Sequence, residues 1–177
     1  MTPLILTIVS ILATAAALAW YRFGSPKLDA DLAVADSILS PREQALIAAS
    51  GDAFFPAKGP IPISGSQAGA VKYFDGYLRR AGTRQRILMR LLFVYTELSP
   101  IWFGPQRRRF SRLTLEHRIE FLETAFISSI YFRRIAFTSL RALLTMAYLS
   151  NGDIARAMGM RSNRDPFALS SASPVSV

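Results

Sequence analysis

The sequence of 177 residues contains no cysteine and only one histidine, His117. The absence of cysteine excludes disulfides, iron–sulfur clusters, c-type haem attachment and thiolate-ligated zinc. A single histidine also argues against a histidine-ligated metal site or a bis-histidine haem. We therefore expect a chain that binds no cofactor of its own and is not an enzyme.

Three short patterns that could suggest chemistry each have a simpler structural explanation. His117 with Glu116 and Glu120 could suggest a metal site on a helix. A lone helical histidine beside surface glutamates is instead expected to be a solvated or half-buried side chain, because a metal site needs three or more well-placed ligands. Glu120 and Glu123 resemble a carboxylate pair, but they fit ion pairs on a helix face with Arg118 or with nearby arginines better. Residues 65–69, GSQAG, lack the preceding strand and the lysine–serine pair of a phosphate-binding loop, so a turn and helix cap are expected.

Charged side chains are absent from the first 21 residues. The apolar run from Pro3 to Tyr21 has the length of a transmembrane helix. We expect residues 1–21 to form a membrane anchor whose representative apolar and interfacial positions are Leu4, Ile8, Ile11, Leu18, Trp20 and Tyr21. A cleaved signal peptide is the alternative, because residues 17–19 resemble a cleavage site, but no basic segment precedes the apolar run.

The charge of the chain is strongly basic and lies entirely beyond the apolar run. Twenty-one lysines and arginines against 12 acidic residues give a net charge of +9. Arg22 and Lys27 follow the run, so the positive-inside rule favours a domain in the cytoplasm, with a periplasmic domain as the alternative. We expect a single-pass protein of the bacterial inner membrane. The basic charge favours anionic lipid or an acidic protein as partner, and the membrane anchor argues against nucleic acid.

The spacing of apolar residues predicts an all-α domain of about five helices. A capping box at 40–43, SPRE, begins the first helix. The predicted helices cover residues 41–50, 71–81, 83–100, 115–130 and 132–149. Gly51, Pro100 and Gly152 are expected to end the first, third and fifth of them. The third is apolar around most of its circumference, apart from a polar stripe that includes Glu97, and is expected to be central. Residues 22–39 are expected to form a linker, residues 40–160 the helical domain, and residues 161–177 a flexible tail.

Two loops combine aromatic residues with glycine and proline. The first begins GDAFFP at residue 51, and the second, PIWFGPQRRRFSRL, begins at residue 100. Arginine interleaved with aromatic residues is enriched at protein interfaces. The predicted partner interface comprises Phe54, Phe55, Trp102, Phe103, Arg107, Arg108, Arg109, Phe110 and Arg112. Two alternatives remain open: the first two phenylalanines belong to the core, or the arginines form a solvated loop or contact lipid.

Four segments carry a resemblance to a known family. LSPREQALIAASGDAFFP, GAVKYFDGYLRR, FSRLTLEHRIEFLE and FRRIAFTSLRALLTMAY occur in that order between Leu39 and Leu149. Together they resemble the gluconate 2-dehydrogenase subunit 3 family. That resemblance implies a small, helical, non-catalytic subunit that accompanies a large flavoprotein dehydrogenase, often with a cytochrome c subunit. The positions matching recurrent family positions are Asp52, Phe55, Pro56, Gly69 and Ala70, and none has a catalytic role there.

The amino-terminal segment departs from that family pattern. Family members commonly carry a twin-arginine export signal, whereas this sequence has an uncharged apolar run. We therefore expect a membrane-anchored accessory subunit that docks to and stabilises a larger redox partner. The alternative is a structural or assembly subunit of another integral-membrane energy-transducing complex, photosynthetic or respiratory, in which the alanines between residues 13 and 19 would allow close helix packing.

Overall fold

The computed structural model describes residue 28 and residues 30–159. This part of the chain is all-helical, which confirms the predicted all-α class, and it contains six α-helices where about five were expected. Its α-helices are α1 (Pro41–Phe54), α2 (Ala70–Arg80), α3 (Thr83–Phe103), α4 (Leu115–Phe126), α5 (Tyr131–Leu149) and α6 (Gly152–Ala157). Short 3-10 turns lie at Ala30–Leu32 and Phe110–Arg112.

The predicted membrane anchor and the predicted tail fall outside the described residues. This applies to Leu4, Ile8, Ile11, Leu18, Trp20 and Tyr21, and to residues 161–177. Among the helices that the structure does describe, none combines the length and the apolar character needed to cross a membrane.

Helix α1 begins at the predicted capping box. The Glu43 carboxylate accepts a hydrogen bond from the Ser40 amide at 2.7 Å, and the Ser40 hydroxyl accepts one from the Glu43 amide at 3.3 Å. The prediction that α1 ends at Gly51 is wrong, because the helix continues to Phe54. Gly51 instead lies against Gly65 of the following loop. A Cβ placed on Gly65 would lie 2.3 Å from the Gly51 carbonyl carbon, so the backbones can approach this closely only because Gly65 has no side chain. The two glycines thus mark a contact between helix and loop.

Helix α3 also extends beyond its predicted end. Pro100 lies inside the helix, which continues to Phe103. A proline in the last turn removes only one helical hydrogen bond, and its own carbonyl still accepts from the Gly104 amide at 2.9 Å. Pro100 was expected to end the helix. In the structure it is fully buried, and its side chain packs in the interior.

The carboxyl-terminal helices differ from the prediction at their ends. Helix α4 stops at Phe126, four residues early, and a short turn leads into α5. Gly152, which was expected to end α5, begins the additional helix α6. Asn151 caps α6 by accepting hydrogen bonds from the Asp153 and Ile154 amides.

The core forms around α1 rather than around α3. Helix α1 is buried almost continuously from Gln44 to Gly51 and packs against α2, α3, α4 and α5. Edge-to-face phenylalanine pairs fill the space between the helices, with ring centroids 5.7 Å apart for Phe74 and Phe93 and 5.5 Å apart for Phe121 and Phe137. The expectation that α3 is central is wrong, because one side of α3 faces outward.

The end of the predicted linker is bound to the helical domain. Asp75 on α2 accepts hydrogen bonds from the Ser37 hydroxyl at 2.7 Å and from the Ile38 amide at 2.9 Å. Burial alone would raise the pKa of Asp75, but these bonds and the one from Arg79 lower it below its usual value. The chain therefore enters α1 from a fixed position.

The aromatic residues of the first loop face inward. Phe54 lies against Phe126, with ring centroids 6.1 Å apart, and Phe55 stacks on Tyr148 at 4.1 Å. Both phenylalanines are half-buried and pack against the core. Of the two interpretations of this loop, the structure shows core packing.

Candidate docking surface

The second aromatic loop joins α3 to α4 and carries most of the predicted interface residues. We call residues 104–113 the arginine loop. Its backbone turns sharply at Arg107, which has a φ of 47°, and then forms the 3-10 turn Phe110–Arg112. The loop thus begins at the exposed end of α3 and returns to the start of α4.

Two of the predicted interface residues lie in the interior. Arg109 is 3% exposed, and Phe110 is 0% exposed with its ring centroid 6.1 Å from that of Phe121. The prediction that both belong to an exposed surface is therefore wrong. Residue spacing could not show this, because the 3-10 turn rotates Phe110 into the core. The exposed arginines of the loop are Arg107, Arg108 and Arg112.

A buried carboxylate holds the inner side of the arginine loop. Glu97 on α3 is 7% exposed and accepts hydrogen bonds from the Ser111 amide at 3.1 Å and the Ser111 hydroxyl at 2.5 Å. Burial raises the pKa of Glu97, while the bonds from Ser111 and the charges of Arg109 and Arg42 oppose that rise without cancelling it. Glu97 was expected on a polar stripe of this helix, and the structure shows that its side chain is buried.

Arg118 fixes the loop from the side of α4. Its guanidinium donates to the Phe110 carbonyl at 3.2 Å and to the Ser111 carbonyl at 2.8 Å. Desolvation lowers the pKa of Arg118, and the nearby charges of Asp52 and Glu97 act in the opposite direction. Arg118 was predicted to pair with acidic residues on the surface of α4, but both of these hydrogen bonds go to the loop backbone.

A small pocket lies beside the arginine loop. Its volume is about 130 Å³, and its lining includes Phe103, Arg107, Leu113, His117, Glu120 and Arg133. The Arg133 guanidinium lies 4.9 Å from the centroid of the Phe103 ring and 5.0 Å from that of Phe121. The pocket therefore has an aromatic and cationic wall next to the exposed arginines.

His117 is part of the wall of this pocket. Its ring nitrogens lie 2.5 Å from the Gln106 side-chain nitrogen and 2.6 Å from the Thr114 hydroxyl oxygen. Within residues 30–159, no three or more histidine and acidic side chains are grouped in a way that could hold a metal ion. The ring of His117 connects the arginine loop to the cap of α4.

The exposed part of this surface suits the recognition of an acidic protein. Guanidinium groups can donate two parallel hydrogen bonds to a carboxylate, and an adjacent pocket can receive a side chain. Phe103 is 42% exposed at its edge. Trp102 is 69% exposed, but by helical spacing it falls in line with Leu88 and Tyr95 on the outward side of α3. The candidate docking surface therefore comprises Phe103, Arg107, Arg108 and Arg112.

A second exposed surface was missed by the sequence reading. The outward side of α3 carries large apolar side chains that are 37–66% exposed: Ile87, Leu88, Leu91 and Val94. Between this side and α5 lies a groove of about 510 Å³. The all-round apolar character of the third predicted helix could have indicated a second contact face, but it was interpreted as burial in the centre of the domain.

Comparisons of the chain with protein-family models, with curated proteins and with solved structures find no match. The resemblance described above therefore stays a prediction.

Proposed function

We propose that this chain is a non-catalytic, membrane-anchored accessory subunit that docks through the arginine loop to an acidic surface of a larger redox complex. The observation that carries the proposal is the construction of the loop. Buried Glu97 and Arg118 bind its backbone, and Phe110 anchors it in the core. Its outer arginines therefore project from a fixed backbone.

Fixing the loop in the free protein lowers the entropy that is lost on association. Burial of Glu97 at 7% exposure and of Arg109 at 3% has a desolvation cost. We infer that these buried side chains hold the loop so that Arg107 and Arg108 face a partner.

The sequence supports a location of the complex at the membrane. The apolar run at residues 3–21 supports an anchor in the membrane, and the net charge of +9 supports an acidic partner or anionic lipid nearby. The resemblance of residues 39–149 to accessory subunits of flavoprotein dehydrogenases supports a redox partner. A photosynthetic or respiratory assembly remains the alternative partner.

Purification of the tagged full chain from native membranes in a mild detergent tests this proposal. We expect the chain to migrate with larger polypeptides, and mass spectrometry of these identifies the partner. Co-migration with a flavin-containing dehydrogenase supports the first partner, whereas co-migration with subunits of a photosynthetic or respiratory complex supports the alternative. Migration of the chain without any other polypeptide would contradict the docking function.

A further inference from the structure

The outward side of α3 has the spacing of a helix that pairs with another helix. Ile87, Leu91, Val94, Leu98 and Ile101 follow one another at intervals of four, three, four and three residues. This is the spacing of the contact positions in a coiled coil. The first three are 54%, 59% and 37% exposed, and the last two are half-buried. We call these five residues the seam.

The order of residue types along the seam is the same in both chain directions. From its centre at Val94, leucine and then isoleucine follow on either side. An antiparallel partner with the same sequence therefore places each residue opposite one of the same type. Such a self-complementary patch is what a two-fold symmetric interface requires.

We propose that α3 pairs antiparallel with α3 of a second copy of this chain, around a two-fold axis at Val94. In this arrangement Ile87 of one copy lies opposite Ile101 of the other, and Leu91 lies opposite Leu98. The contact uses residues of α3 that precede the arginine loop, so Arg107, Arg108 and Arg112 are not part of it.

A second row of side chains supports the same symmetry. Leu88, Tyr95 and Trp102 are seven residues apart and flank the seam, with Tyr95 at the centre. Antiparallel pairing brings Trp102 of one copy beside Leu88 of the other, at the mouth of the apolar groove. Leu88, Phe132 and Ile135 line this groove of about 510 Å³, which has room for an indole ring. The second copy thus covers the 69% exposed Trp102.

The charges of α3 permit this contact despite the basic net charge. Arg86 and Arg90 donate to backbone carbonyls of their own chain, and Glu97 is directed to Ser111. Arg84 of each copy comes opposite the carboxyl end of the other α3, where the helix dipole favours a cation. The seam itself contains no charged residue.

The exposed area is sufficient for a stable dimer. Seven large apolar side chains of α3 and α5 are 37–69% exposed: Ile87, Leu88, Leu91, Val94, Trp102, Phe132 and Ile135. At roughly 100 Å² each, they offer on the order of 700 Å² per copy, close to the ~800 Å² that each partner contributes to a standard interface.

Single engineered cysteines test both the contact and its direction, because the chain has no cysteine of its own. In the full chain in mild detergent, we expect Val94→Cys to form an intermolecular disulfide on mild oxidation, since this position meets itself at the axis. Ile87→Cys and Ile101→Cys should cross-link poorly when each is alone and readily when the two variants are mixed.

Further variants distinguish loss of the seam contact from a general effect of added charge and from loss of the docking partner. Adding Leu91→Glu to Val94→Cys should abolish the cross-link while circular dichroism stays unchanged, because Leu91 is 59% exposed. Adding Met158→Glu, a similarly exposed position just after α6, should leave the cross-link intact. The double change Arg107→Glu and Arg108→Glu should also leave it intact, which distinguishes this inference from the proposed docking function.

Two results would overturn the proposal. The first is that the Val94→Cys chain forms no cross-link at any concentration and the wild-type chain sediments as a monomer. This result is also expected if the outward side of α3 lies on lipid. The second is Ile87→Cys alone cross-linking as efficiently as Val94→Cys, because that result requires parallel pairing.

Discussion

At the scale of single residues, Glu97 connects the interior to the arginine loop. Its carboxylate receives both hydrogen bonds from Ser111, and Arg109 and Arg42 contribute positive charge nearby. A buried carboxylate without such partners would be strongly destabilising. The loop conformation and the charge state of Glu97 are therefore linked.

The raised pKa of Glu97 predicts a specific dependence of stability on pH. Because the folded pKa lies above the unfolded value, Glu97 contributes stability below the unfolded pKa, and that contribution is lost as pH rises through the folded pKa. Glu97→Gln keeps a neutral acceptor for Ser111 and should remove this decline. Urea titrations of the full chain at several pH values, followed by circular dichroism, measure it.

The exposed Glu123 on α4 provides the matched control, since Glu123→Gln should leave the pH profile of the wild type unchanged. If the wild type and Glu97→Gln lost stability in parallel with rising pH, Glu97 would not be the group that is responsible.

At the scale of elements, the contact between α1 and the turn that precedes α2 depends on two glycines. A Cβ placed on Gly65 would lie 2.3 Å from both the carbonyl carbon and the carbonyl oxygen of Gly51. Backbone atoms cannot rotate away as a side chain can. Asp52 strengthens the same contact by accepting a hydrogen bond from the Ser66 amide at 2.9 Å.

Gly65→Ala should therefore lower the free energy of unfolding by about 3 kcal/mol, at the upper end of the usual cost of overpacking. Gly76→Ala is the matched control, because its added Cβ would meet no atom within 4 Å apart from its chain neighbours and the backbone of its own helix. Within α2 that change should stabilise the protein by about 0.5–1 kcal/mol. Equal effects of the two substitutions in urea titrations would refute the close contact.

The helices show which features a sequence can predict. The capping box at Ser40 was identified correctly because all its hydrogen bonds are local. Gly51 and Pro100 were misread as helix ends, since the sequence does not show the neighbouring backbone that Gly51 contacts or the buried position of Pro100. Local patterns therefore gave the fold class and the approximate helices.

The candidate surface was predictable only in part, for the same reason. The concentration of arginine and aromatic residues located the loop correctly. Which side chains face outward depends on the 3-10 turn at Phe110 and on the distant Glu97, so Arg109 and Phe110 were placed on the wrong side. The outward face of α3 was missed because an apolar helix surface reads the same whether the core or a second protein covers it.

At the scale of the whole molecule, the proposed function requires a membrane anchor at residues 1–21. If this segment spans the bilayer, the full chain should stay in the membrane fraction after alkaline carbonate extraction. A chain that begins near Lys27 should be released under the same conditions. Recovery of the full chain in the soluble fraction, or a mature amino terminus near Trp20, would instead support a cleaved signal peptide.

Three parts of the chain have different proposed roles. The apolar amino-terminal run is proposed to hold the chain in the membrane, the seam on α3 to pair two copies, and the arginine loop to contact the partner. Because each role uses different residues, a substitution in one surface should leave the other two functions measurable.

Reversal of the exposed loop charges tests the docking function most directly. The variant carries Arg107→Glu and Arg108→Glu, and leaves Arg109 unchanged because it is buried. Its control, Lys58→Glu with Lys72→Glu, changes the charge equally at exposed positions outside the loop. Like charge against an acidic surface costs several kcal/mol, whereas exposed charges elsewhere change stability by about 0.5 kcal/mol.

Purified in mild detergent at physiological salt, the loop variant should be folded by circular dichroism but lack the partner complex, and the control should retain it. Recovery of the partner complex with the loop variant in wild-type yield would contradict the account.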